Sequence, residues 1–145
     1  MHRAARRVEV TDCPRLGNGF DYADAFVAEL PHPDPRSPES WVRAGMEESP
    51  AVVEWMASRL GLGSRSVPRS EIANGRVIES TPQMVEIEWS LPLMKVVVIG
   101  RSLEPSVRSL SSFLYYKRPV LARLVWTVVG VGHRRMARGL ITRNL

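Results

Sequence analysis

Three strands can be read from QMVEIEWSLPLMKVVVIGRSLEPSVRSLSSFLYYK, residues 83–117. In its first part, residues 83–91, Val85, Ile87, Trp89 and Leu91 alternate with Glu86, Glu88 and Ser90. A period of two marks a strand with one buried face, and it puts both glutamates on the solvent side. Residues 93–103, LMKVVVIGRSL, are apolar on both faces, as in a central strand. Gly100 inside that run predicts a bulge or the close approach of another element. After Glu104-Pro105-Ser106 turns the chain, residues 107–117 set Phe113, Leu114, Tyr115 and Tyr116 on both faces of the next strand. Upstream, GRVIEST at 75–81 ends at Thr81-Pro82 and adds a fourth. Connections this short cannot hold a crossover helix, so the strands predict an antiparallel meander.

The segment that follows is KRPVLARLVWTVVGVGHRRM, residues 117–136. Pro119 suits the first turn of a helix. Val120, Leu121, Leu124, Val125, Val128 and Val129 continue at helical spacing, joined later by Met136 and Leu140, while Arg123, Thr127, Arg134 and Arg138 fall on the other side. The uncharged segment runs only from Leu124 to Gly132, against the about 20 residues that cross a bilayer. Gly130 and Gly132 weaken the helix where a span should be strongest. The expectation is a long amphipathic helix and no transmembrane segment.

Charge is unevenly placed. Residues 1–104 carry 12 Lys/Arg and all 15 Asp/Glu, and residues 105–145 carry 8 Lys/Arg and no acid, so the two parts are −3 and +8 within a net +5. A basic C-terminal helix could meet anionic lipid or an acidic protein partner. It could equally be a solvated face whose cations suit the helix C-terminal dipole.

Towards the N-terminus, residues 19–31 alternate Tyr22, Asp24, Phe26, Ala28 and Leu30 with Ala23, Ala25, Val27 and Glu29, a strand bounded by Gly19 and Pro31. PHPDPRSP, residues 31–38, forbids regular structure and predicts a stiff exposed loop. Ser37-Pro38-Glu39 and Ser49-Pro50 are two helix starts. The first helix presents Trp41, Val42, Gly45 and Met46, the second Val52, Val53, Met56 and Leu60 with Trp55 beside them, ending at Gly61. The first residues show no apolar signal-peptide core and lead into a short strand. Cys13 is the single cysteine, so no disulfide forms within the chain and a reducing, cytoplasmic setting is expected.

Strand, helix, helix, meander, long helix is the order that results. It predicts one α+β domain over residues 1–145: a curved antiparallel β-sheet, two short helices at one end, and a long C-terminal helix across the concave face. DYADAF, at residues 21–26, and GHRR, in a C-terminal helix that follows FLYYKRP, resemble a family of small proteins known only as a domain of unknown function. That family is placed with the helix-grip, START-like superfamily of lipid-transfer, plant-allergen and polyketide-cyclase proteins. The resemblance runs from Phe20 to Ile141, although the family's Pro-Phe-His-Arg run is here Val131-Gly132-His133-Arg134. It implies a helix-grip fold and, by analogy, an apolar pocket. It carries over no catalytic residue, and fold alone does not set function.

Candidate site residues follow from this layout. Tyr22 and Asp24 share a strand face and could orient the polar end of a ligand; the simpler alternative is an edge pair facing solvent. His133, on the last helix, is a pocket-edge acid/base or anion binder, or a packing histidine, and the neighbouring arginines favour its neutral ring. Trp89, Tyr115 and Trp126 could give apolar contact to a ligand or form core. No Walker run, no GxSxG and no dinucleotide fingerprint occurs, and the histidine spacing suits no metal. Neither a cofactor nor a nucleic-acid partner is expected. The expected function is binding of a small apolar or amphipathic molecule between sheet and C-terminal helix. A cyclase or dehydratase using Asp24 or His133 is the alternative, and a peripheral module acting through Arg134, Arg135 and Arg138 is a third reading.

Overall fold

The computed structural model describes residues 5–47, 71–72, 75–91, 94–117 and 119–142. Seven strands and two helices occupy them: β1 (Arg6–Val8), β2 (Tyr22–Glu29), α1 (Pro38–Glu47), β3 (Glu71–Ile72), β4 (Gly75–Ser80), β5 (Met84–Ser90), β6 (Met94–Glu104), β7 (Val107–Tyr116) and α2 (Pro119–Thr142). The architecture is α+β with one antiparallel sheet in the order β1-β2-β7-β6-β5-β4-β3. The meander β3 to β7 is sequential, and β2 pairs with β7, so the first long strand closes beside the last. The register shifts between Val77 and Glu79, in the middle of β4, and between Ser102 and Glu104, at the end of β6. The second short helix expected after Pro50 lies outside the described residues.

The pleat divides the sheet into two covered faces. On the first, Phe26, Leu110, Leu114, Val98, Val85, Ile87 and Trp89 pack with Trp41 and Val42 of α1 and Ala137, Leu140 and Ile141 of α2. α1 lies against β5 and β6, α2 against β2 and β7, and the helices touch each other. Gly100 is a point of close approach: a side chain there would meet Val42 Cγ2 at 3.0 Å and Trp41 Cη2 at 3.1 Å.

The second face carries a smaller core of Val97, Ile99 and Phe113, under Val10 and Phe20 of the N-terminal segment. Asp12 secures that segment, accepting from Arg101 Nε at 2.6 Å and Ser111 Oγ at 3.0 Å. Gly17, at φ +92°, takes the left-handed turn conformation that favours glycine. The segment corrects one expectation. Glu86 is 4% exposed, not solvent-facing, and its carboxylate accepts from the Arg15 amide. Burial raises its pKa, the Arg15 amide opposing.

The proline-rich loop has no helix or strand over residues 31–37 and exposes Pro31, His32, Pro33 and Pro35, as expected, but it is pinned at its far end. Asp34 takes a two-pronged hydrogen bond from Arg36 and another from the buried Arg108, and Pro38 is buried. The Arg36 hydrogen bonds hold the Asp34 pKa below its ordinary value against burial.

Candidate functional site

Asp24 sits inside the first face, 1% exposed, with Phe26 two residues on. Tyr22, two residues earlier and on the same face, donates its hydroxyl to Asp24 Oδ2 at 2.9 Å. The pair expected from the sequence is therefore formed. Across the β2–β7 ladder Asp24 is opposed by Ser112, and Tyr22 by Leu114. Ser112 in turn opposes Val98 on β6. Asp24 and Ser112 thus form a polar island in an apolar surface. Asp24 Oδ1 and Ser112 Oγ are both buried and form no hydrogen bond with the described residues.

α2 lies over this island. Its inward stripe is Gly130, His133, Ala137, Leu140 and Ile141, all buried, at intervals that keep to one helical face. His133 is 8% exposed. Burial lowers its pKa from the ordinary 6.5; the nearby Asp24 charge works against this and Arg134 adds to it. Burial, which the sequence does not show, is thus the chief cause favouring the neutral ring, and Arg134 is a lesser one. Arg134, next along, hydrogen bonds the Tyr22 hydroxyl at 3.4 Å. The Tyr22 pKa is raised, by burial first.

Three of the sequence candidates, Tyr22, Asp24 and His133, are brought together. Trp89 shares their sheet face but lies on β5, where its indole covers Gly75. Tyr115 is on the opposite face. It donates to the Gly17 carbonyl at 2.6 Å, and burial, then the Cys13, Glu86 and Glu88 charges, push its pKa up to about 12. It serves the N-terminal cover and cannot join the others. Trp126 belongs to α2, with its side chain outside the described residues. Ser112 and Arg134 enter the cluster without having been candidates there. Only the register of β2 on β7 reveals Ser112, whereas helical spacing aligns His133 with Val129 and Leu140.

Among the described residues no group of three or more His, Cys, Asp or Glu could hold a metal, and no helix is long and apolar enough to cross a membrane. The cluster offers an acceptor at Asp24, a hydroxyl at Ser112 and a neutral imidazole. An activated-serine arrangement is not formed, because Ser112 Oγ makes no hydrogen bond to a base among the described residues. Comparison of the chain with family models, with curated proteins and with solved structures finds no match.

Proposed function

We propose that this chain is a helix-grip, START-like domain that binds a small apolar or amphipathic molecule between the sheet and the C-terminal helix. The element order supports the fold assignment, together with the return of β2 beside β7 and the seat of α2 on those two strands. One observation carries the binding role: Asp24 Oδ1 and Ser112 Oγ are buried beneath α2 without a hydrogen bond to the described residues. Buried polar atoms are costly to leave unpaired, by about 1–3 kcal/mol each. A ligand's polar end would satisfy them, with its apolar body against neighbours such as Leu114 and Val98. Native mass spectrometry of protein purified from cells tests this. Excess mass that disappears on denaturation supports it and delivers the ligand for extraction. Apo mass alone, with no thermal shift across lipids and aromatic metabolites, overturns it.

A second reading has its own support. A carboxylate beside a buried neutral imidazole can serve as an acid/base pair, so a cyclase or dehydratase on the same scaffold is the alternative. It requires turnover that is lost in Asp24→Asn or His133→Ala while folding persists. The peripheral-module reading is less favoured. Arg134 engages Tyr22, and the Arg138 guanidinium lies 5.1 Å from the Phe26 ring centroid. One of its three arginines is thus engaged inside the fold and a second rests on a core ring, although Arg135 and Arg138 are both exposed.

A further inference from the structure

We propose that the polar end of the bound molecule is a neutral hydroxyl, so that the site selects an alcohol over the carboxylic acid of the same apolar body. This rests on the ligand-binding reading above and names the chemistry that the buried cluster would take.

Donors and acceptors decide between the possible end groups. Tyr22 donates to Asp24 Oδ2, which leaves the buried Oδ1 to accept. A carboxylate has no proton to give, so whatever meets Oδ1 must bring an O–H or N–H. Ser112 Oγ, buried and directly opposite, has a proton to donate and no acceptor among the described residues. Opposed residues on antiparallel strands hold their Cβ atoms about 5 Å apart, so both side chains rise from neighbouring points of one sheet face. An alcohol oxygen matches both needs: its proton goes to Asp24 Oδ1 and a lone pair takes the Ser112 proton.

The competing end groups fit worse. A carboxylate would face Asp24 as a second anion in a desolvated layer, and would enter only with a proton. An ammonium could pair with Asp24, but it would shed its hydration close to Arg134, whose Nη1 is 3.4 Å from the Tyr22 hydroxyl.

Matched probes test this: decanol against decanoate, and naphthalenemethanol against naphthoate, each titrated calorimetrically into the full chain at neutral pH. In at least one pair the alcohol is expected to bind about tenfold tighter or more, since one unit of proton affinity is a factor of ten. The gap should close in Asp24→Asn, which keeps an acceptor and removes the charge. In the unmutated protein it should narrow as pH falls towards the acid's own pKa. Should Asp24→Asn not fold, Ser112→Ala replaces it, expected to weaken the alcohol more than the acid. Acids that bind as well as their alcohols overturn the proposal and leave the ligand-binding reading standing. Failure of all four probes to bind counts against the ligand-binding reading itself, and the proposal falls with it.

Discussion

Arg108 Nε donates to the Ile141 carbonyl at 2.9 Å, so β7 grips the C-terminal end of the helix above it. The last carbonyls of a helix lack partners within it and carry the negative end of its dipole, and a guanidinium answers both. Arg108 is only 2% exposed, it reaches Asp34 Oδ2 at 3.2 Å, and it stands 4.7 Å from the Trp41 ring centroid. One side chain therefore joins β7, α2, α1 and the proline-rich loop. Arg108→Ala is expected to cost about 3 kcal/mol, tempered by the Arg36 contact that still holds Asp34. Arg108→Lys should recover only part of this, because an ammonium cannot reproduce the planar fork. Urea unfolding reads both, and a loss below about 1 kcal/mol for the alanine variant would refute the anchor role.

Gly100 gives α1 its seat. A β-carbon there would press on Val42 Cγ2 and on Val85 Cγ1, at 3.0 Å and 3.3 Å. These are branched side chains in a close-packed core, with little room to yield. Gly100→Val is expected to destabilise by about 2 kcal/mol through overpacking. Hydrogen exchange localises the effect: α1 amides should lose protection first while β6 and β7 keep theirs. Uniform loss across the sheet would show that the strand, not the helix seat, is what the glycine serves.

The meander was legible because β5 alternates cleanly and β6 is apolar on both sides, and α2 because its apolar stripe holds a helical period past His133. Alternation separates two faces, but it does not say what covers each one. Glu86 and Tyr115 were misplaced for that reason. The segment around Asp12 to Phe20 returns over their face, and its own sequence has too little periodicity to announce this. Tyr22 and Asp24 could be paired from spacing alone. Ser112 could not, because its meeting with Asp24 depends on the β2–β7 register between strands far apart in the chain.

Glu86 offers a test of that cover. Its pKa is raised above the ordinary 4.5, by burial first and against the Arg15 amide. The folded state thus binds the proton more readily than the unfolded state. Stability contributed by this group rises as pH falls from the raised pKa towards 4.5, and at neutral pH the buried charge is a cost. Glu86→Gln is expected to stabilise the protein at neutral pH, by about 1 kcal/mol at most. The gain should vanish on acidification, as unfolding at neutral pH and at about pH 4.5 will show. A neutral-pH loss would mean that the Arg15 amide outweighs burial and that the N-terminal segment needs the charge.

His133 has the opposite linkage. Its pKa is lowered from 6.5 by burial, with Asp24 opposing and Arg134 reinforcing. Above 6.5 the ring is neutral in both states and costs nothing. Below it the unfolded chain takes a proton that the folded chain refuses, so stability falls with pH until the lowered pKa is reached. The slope approaches about 1.4 kcal/mol per pH unit. His133→Gln should lack this component, whatever its stability at neutral pH, so the difference in slope between the two proteins isolates the histidine. Equal slopes below 6.5 would mean that the folded protein protonates His133 as readily as the unfolded chain does. The island beneath α2 would then hold a cation beside Asp24 in that range. A neutral alcohol would lose its advantage over an acid there, so this slope also sets the pH range in which the proposed selectivity can operate.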